Sequence, residues 1–495
     1  MTITELLPPL LIPLPAILAG FLSRLLPRKA HAIAPISAAL AFGIALALTI
    51  LPHHTDAGLF RFDTLSTVMV LLVSFLGAIV LRFAARYLAG DPALPRFLSW
   101  MSLTLSSVLL MVISNHLLLM LGAWVATSLF LNQLLLHNPH RAGAIFAARK
   151  KFVFSRIAEA SLLVAILLLH EGHQTWRIDE LTASIAQGNH QGLFAAALLL
   201  AFCAMLKSAQ FPFHSWLPDT MDTPTPVSAF MHAGIINGGG FLVLRLSPVF
   251  VAVPVSLHLL VMVGSLTAAF GAIVMLAQPG VKRALAFSTI AQMGFMMIQC
   301  GLGAWGLALL HLVAHSLYKA HAFLHAGSTI GATPRAAVPL ATPALALGVM
   351  AGTTLVVLAV TTLHWLAPAT AMVPLAFHVI LALALAYGIG RAWSGHRASL
   401  TRALVVAAGI VLSSMLLHAA AGLVLTGMAE HKAPVWLVAW VAFVFTALFF
   451  FQSMLWRASA HPLGRKLYIH ALNGFYVGTL ANRLLGRLWP SRTLS

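Results

Sequence analysis

ALLLAFCAMLKSAQFPFHSWLPDTMDTPTPVSAFMHAG, residues 197–234, sets Lys207 at the end of a long apolar run and follows it with Pro212, Pro218, Pro224 and Pro226. Counted from Leu193, the lysine lies about 14 residues, or roughly 21 Å at 1.5 Å per residue, into that run. A charge at such depth in hydrocarbon is costly unless it is paired or hydrated, so it marks a functional position by default. The four prolines expose unpaired backbone groups at the same depth. That is tolerated only where the backbone lines protein or water, as at the ion sites of transporters. The stretch therefore reads as a broken membrane helix built around an amine.

The rest of the chain fits this frame. Of its 495 residues 60% are hydrophobic and only 8% charged, against about 25% charged in soluble domains. Apolar stretches of helical length recur from 6–26 to 434–455, about 14 to 15 spans at roughly 20 residues each. The expected fold is an all-α polytopic membrane bundle. Cys203 and Cys300 both fall within spans, which leaves no disulfide framework and no cysteine-built metal or iron–sulfur site. The formal charge of +18 reads as topology. Taken loop by loop, one side collects nearly all the basic residues, including Arg28, Lys29, Arg149, Lys150, Lys151, Arg156, Lys282, Arg283, Arg465 and Lys466. The other side has Arg61, Arg177, Arg245 and Lys432. The positive-inside rule then puts the N-terminus outside and the C-terminus in the cytoplasm of a bacterial inner membrane. Only Lys207 and Lys319, among 29 Lys and Arg, cannot be assigned to a surface on this reading. No cleavable leader is evident at the N-terminus. We expect one transmembrane domain, 1–456, and a basic tail, 457–495, that lies on the membrane surface as an amphipathic helix or docks a partner.

A second cluster occupies GAWGLALLHLVAHSLYKAHAFLHAGSTIG, residues 303–331. His311, His315 and Lys319 repeat at i, i+4 and i+8, which stacks them on one helical stripe about 6 Å apart per step. Imidazole both accepts and donates a proton near neutrality, and a desolvated lysine can lose its charge reversibly. The stripe reads as a proton wire. Glu159 is the only carboxylate well inside an apolar span; buried alone it would protonate, so it needs a basic partner, and Lys207 is the expected one. The remaining patterns carry less. His53 with His54, His137 with His140 and His170 with His173 lack the company a zinc site needs. Gly238, Gly239 and Gly240 read as a close-packing face. No nucleotide-binding, hydrolase or kinase motif occurs. The chain reads as a transport subunit, not an enzyme, with no cofactor or metal of its own.

These residues also resemble a known family. The segments 207–234, 281–296 (VKRALAFSTIAQMGFM) and 303–331 look like the proton-conducting antiporter-like subunits of respiratory complex I (subunit L), Mrp-type sodium/proton antiporters and membrane hydrogenases. The resemblance covers about 97–331; residues 332–456 diverge. It implies that Lys207 is the central proton carrier, that His311, His315 and Lys319 are later stations, and that His232, in SAFMHAG, lines the path. Two departures stand out. Val125 follows Trp124, where the family has a glutamate, so Glu159 would have to serve Lys207. No lysine occurs in any later span, so the family's second half-channel is altered. With these losses the chain looks most like the shortened DabB-type membrane subunits of inorganic carbon transporters. That likeness implies a soluble, zinc-containing DabA-like partner resembling carbonic anhydrases on the cytoplasmic side, with the membrane subunit carrying the proton. The alternative is a pumping subunit of an NADH-quinone oxidoreductase-like complex or a cation/proton antiporter.

Overall fold

The computed structural model describes residues 9–50, 58–329, 342–366, 374–393, 397–424, 428–455 and 462–489. Over these residues the chain is helical, with β-structure limited to the isolated bridges Phe60 to Ser114 and His116 to Arg177. Twelve helices are long and apolar enough to cross a membrane, and two shorter apolar ones, Pro9–Leu25 and Leu193–Lys207, accompany them. Trp305–Leu324 is as long, but its stripe of histidines and lysine dilutes its apolar character. The result is an all-α polytopic bundle, as the composition requires.

The first helices are α1 (Leu14–Leu25), α2 (Ala30–Ile50), α3 (Thr64–Tyr87), α4 (Leu94–Ile113) and α5 (Leu117–Leu135). Asp63 caps α3 by accepting from the Ser66 N–H at 2.9 Å, which satisfies one orphan donor of its first turn. Helix α6 runs the full length of Ala142–His173. That corrects the expectation that Lys150 and Lys151 lie in a surface loop. The apolar AGAIFAA before the basic pair extends the helix, so both lysines lie inside it. A short amphipathic α7 (Ile178–Ala186) then leads to α8 (Leu193–Lys207).

The break falls where the prolines place it. Helix α8 stops at Lys207; Ala209 adopts a left-handed φ of 49°, and short turns of helix follow at Phe213–Ser215, α9 (Trp216–Asp219) and Thr220–Asp222. Pro224 and Pro226 then start α10 (Thr225–Ala233), suiting its first turn. A second interruption at Gly234 and Ile235–Asn237 separates α10 from α11 (Gly238–Arg245). Helix α12 (Ser247–Ala252) links onward to α13 (Pro254–Ala277), α14 (Val281–Gly301) and α15 (Trp305–Leu324). Helices α13 and α14 meet backbone to backbone: a Cβ on Gly264 would fall 2.7 Å from the Gly294 carbonyl oxygen, and one on Gly271 2.6 Å from the Ala291 nitrogen.

Of the helices α16 (Thr342–Leu366), α17 (Leu375–Trp393), α18 (Arg397–Val424) and α19 (Val435–Leu455), α17 and α19 share one smaller apolar cluster with α13 and α14, and α16, α17 and α18 form another. The expected division near Gly331 falls outside the described residues, as do His53 and His54. The described part of the basic tail, α20 (Pro462–Leu472) and α21 (Val477–Leu488), folds back on the bundle itself. Gln278 Nε2 donates to the Leu472 carbonyl at 3.0 Å, and the Phe475 ring lies 5.9 Å from that of Phe270. The turn between them strings together three left-handed residues, Gly474, Phe475 and Tyr476. In the outward direction α21 exposes Leu480 and Leu484, a face suited to lipid.

Candidate functional site

Lys207 ends α8 with its ammonium 4.6 Å from the centre of the Trp124 ring on α5, a cation–π seat. Its stem lies across Gly238, where a Cβ would come within 3.4 Å of Cε. The next two glycines pack α11 against α8 and α14. A Cβ on Gly239 would sit 2.4 Å from both the Ala204 carbonyl and Ser208 Oγ, and one on Gly240 2.4 Å from Met296 Sδ. Beside the amine is a small cavity, lined by Lys207, Thr127, Met69, Val112 and Phe241 among others, with room for about one water.

Two corrections concern charge. Glu159 meets Arg156, at 2.6 Å, and no ion pair joins it to Lys207; it acts on Lys207 only through its field. The reason is local, since residues three apart on one helix face each other. Further, Lys207 and Lys319 are not the only cations away from the surface: Lys150, Lys151 and Arg245 are 1%, 4% and 5% exposed. Lys151 Nζ donates to the Ser128 carbonyl at 2.6 Å and to Ser128 Oγ at 3.0 Å, and Arg156 Nη2 reaches the same hydroxyl at 3.3 Å. Lys150 binds Asp219 at 2.7 Å, the carbonyl freed at Ser215 at 3.2 Å, and Asn482 Oδ1 of α21 at 2.6 Å. A basic run reads as a loop until the apolar residues before it are counted as helix, and that is the signal that could have found these groups.

The histidine stripe forms as its spacing requires. On α15 the rings of His311 and His315 are 5.9 Å apart, His315 is 5% exposed and Lys319 fully buried. His311 Nδ1 lies 2.8 Å from Gln299 Oε1. Lys319 donates to the Leu285 carbonyl at 3.0 Å and to Ser288 Oγ. His232 of α10 stacks on Phe323 with ring centres 4.4 Å apart, and its Nδ1 is 3.0 Å from Thr289 Oγ1. It lies within the electrostatic reach of Lys319, and His315 within that of His311, Lys319 and His232. The structure thus gathers the six residues in two groups, Lys207 with Glu159, and His232 with His311, His315 and Lys319. Between them stands the Gly234–Gly238 interruption, whose Asn237 donates to Ser316 Oγ of α15 at 2.8 Å. Along this line His232 Nε2, His311 Nε2, both nitrogens of His315 and Asn237 Oδ1 are buried with no hydrogen-bond partner among the described residues. Buried polar atoms in native proteins are paired with protein or water, so this line has the chemistry of a hydrated path. Pro212, Pro218 and Pro224 lie in the break and Pro226 in the first turn of the helix that follows it.

At the other end of α11, Arg245 binds Asp63 at 2.6 Å, Ser66 Oγ at 2.6 Å and the Val112 carbonyl at 3.3 Å. Burial pushes the Asp63 carboxyl up, but the charge and hydrogen bond of Arg245, the Ser66 N–H and Arg61 outweigh it and hold the group below the ordinary aspartate value. Nearby, Asn115 and Arg177 both bind Asp179, tying the α4–α5 turn to α7.

Two family models match the chain: NADH:quinone oxidoreductase/Mrp antiporter, TM, over residues 114–389, and NADH-Ubiquinone oxidoreductase (complex I), chain 5 N-terminus, over 57–98. Probable inorganic carbon transporter subunit DabB of Hydrogenovibrio crunogenus is 36% identical over 439 residues, which cover 86% of this chain and 83% of that protein. Probable inorganic carbon transporter subunit DabB2 of Halothiobacillus neapolitanus is 47% identical over 53% of this chain and 48% of its own length. Among solved structures, that of the Mrp complex from Dietzia sp. DQ12-45-1b covers 99% of this chain and 61% of its own with a TM-score of 0.68 at 23% identity, a likeness of fold. With more than half its length matched by the first model, and a relative more than a third identical along most of both chains, this chain belongs to the NADH:quinone oxidoreductase/Mrp antiporter family of membrane subunits.

Proposed function

We propose that the chain is the proton-conducting, energy-coupling membrane subunit of a two-component complex that accumulates inorganic carbon. Protons pass from Lys207 by way of His232 to the stripe of His311, His315 and Lys319, and their flow drives a soluble, zinc-containing partner resembling carbonic anhydrases. The observation that carries the relay is the line of buried, unpartnered imidazole nitrogens running from the broken helix beside Lys207 to Lys319. An imidazole nitrogen left without a protein partner can hold water and exchange protons with it, on one side at His232 and His311 and on both at His315. The carbon substrate and the existence of a further subunit rest on the names of the two DabB relatives, inorganic carbon transporter subunits; the soluble zinc-containing character of the partner rests on the resemblance alone.

Glu159 acts as a field source. Drawn off by Arg156 it leaves Lys207 free to release its proton; freed from Arg156 it favours the charged amine. We place the tail and the Lys150 end at the cytoplasmic face of a bacterial inner membrane, following the basic loops, and the partner on that face. Residues 1–456 act as one membrane unit in this reading, and the chain itself catalyses no bond chemistry.

Co-expression with the soluble partner in a strain lacking carbonic anhydrase is the test. Growth in air should be rescued, should fail with an uncoupler, and should fail with Lys207→Ala although the two proteins still co-purify. Rescue that survives Lys207→Ala would refute the relay. The second reading, a pumping subunit of a quinone oxidoreductase or antiporter, is favoured by the family description itself; it requires co-purification with further membrane subunits and no rescue.

A further inference from the structure

Lys151 is a buried amine to which this relay gives no task. Its two bonds go to Ser128, and no carboxylate lies within 4 Å of it among the described residues. Ser128 stands one turn beyond Trp124 on α5, and Trp124 is the seat of the Lys207 ammonium. The two docking points are therefore about 6 Å apart along one helix face. Thr127, next to Ser128, lines the cavity that Lys207 opens onto.

The charges around the pair limit what it can hold. Lys151 and Lys207 each lie in the field of the other groups of this pocket, Glu159 and Arg156, and Lys151 also feels Lys207 directly. Glu159 is the one carboxylate that reaches both amines, and Arg156 takes it up at 2.6 Å. Val125 stands one residue after Trp124 and adds no negative charge. With the amines docked one turn apart on α5 and their shared carboxylate held by Arg156, two ammonium groups here repel one another, which favours a single proton between them.

We propose that Lys151 is a second amine of the proton pathway and loads Lys207. An N–H bond of the Lys151 ammonium breaks as one forms on the Lys207 amine, by way of the Ser128 and Thr127 hydroxyls or a water between them. Lys151 is left neutral and Lys207 charged, with no net change in the pocket. This step rests on the relay reading. The competing role for Lys151 is that of an anchor pinning α6 to α5.

Proton flux into liposomes holding the purified complex, followed with a pH-sensitive dye, separates the two. Lys151→Arg keeps the cation and the reach to Ser128 but cannot release a proton. Both Lys151→Arg and Lys151→Met should lower flux at least tenfold with assembly intact. In Lys151→Met the pH midpoint of the residual flux should move up, because Lys207 has lost a like charge. Flux near wild type in Lys151→Arg would overturn the proposal and leave the anchor. If Lys151→Met fails to assemble, Lys151→Arg and Ser128→Ala decide, the latter removing the hydroxyl while sparing the carbonyl bond; unchanged flux in both refutes loading. Lys207→Ala run in parallel tells the failures apart. Flux that survives it sinks the relay, whereas flux lost there but kept in the Lys151 variants sinks only this step.

Discussion

Replacing Asp63 by asparagine would test the charge balance at the end of α11. Arg245 has a side chain only 2% exposed and Asp63 one 24% exposed, so the substitution removes the charged partner of a guanidinium that cannot turn to water and leaves it neutral acceptors such as Ser66 Oγ and the Val112 carbonyl. Breaking a buried pair in this way costs about 3 to 5 kcal/mol; the partial exposure of Asp63 places the expectation near 3. Asparagine caps a helix as well as aspartate does, so the Ser66 N–H keeps its acceptor, whereas Asp63→Ala should cost about 1 kcal/mol more. The double variant Asp63→Asn with Arg245→Met removes both charges and should recover most of the loss. The measurement is the apparent Tm of purified protein in one detergent at a fixed scan rate. The pH dependence has a definite sign. Because the folded carboxyl sits below its ordinary value, the advantage of wild type over Asp63→Asn is full above about pH 5 and fades as the pH falls through 4 and below. Equal Tm values at pH 7, or a gap that persists unchanged in acid, would refute the reasoning.

Gly239→Ala should lower the apparent Tm by an amount equivalent to about 1 to 3 kcal/mol, since its Cβ would meet the Ala204 carbonyl and Ser208 Oγ at 2.4 Å; a Tm equal to that of wild type would show that α8 and α11 can part without cost. Asn482→Ala removes one of the three acceptors of Lys150 and should speed amide exchange over 462–489 several-fold, at a cost of about 1 to 2 kcal/mol, while leaving exchange in α13 unchanged. Glu159→Gln should cut driven carbon uptake about tenfold or more, with the partner still bound; wild-type uptake would rule out the Arg156–Glu159 pair as part of the coupling.

The bundle was legible because its apolar runs have the length of a membrane crossing, and the break because four prolines follow Lys207 within twenty residues. The His311, His315 and Lys319 stripe was legible for the same kind of reason, a fixed period on a single helix. What stayed hidden depends on contacts between helices. Nothing in the spacing of Glu159 says that its reach ends at Arg156, three residues back, instead of at Lys207 on another helix. The basic run at 149–151 has the composition of a loop, and only the packing of α6 against α5 shows that Lys151 is enclosed. Arg245 likewise looks like a surface residue until Asp63, 182 positions earlier, is brought beside it. Ser128, Gln299 and Thr289, which hold Lys151, His311 and His232, carry no motif at all.

The glycine contacts between α13 and α14 have a mechanical consequence. With backbone touching backbone at Gly264, Gly271, Gly294 and Gly301, there is no compliant layer of side chains in which the two helices could slide. They behave as one stiff stave, and any rearrangement during turnover has to be absorbed elsewhere. The compliant place is the run of short turns from Ser208 to Thr223, where hydrogen-bonded helix is interrupted several times within sixteen residues. Motion concentrated there would shift the segment that follows Lys207 while α13 and α14 keep their register.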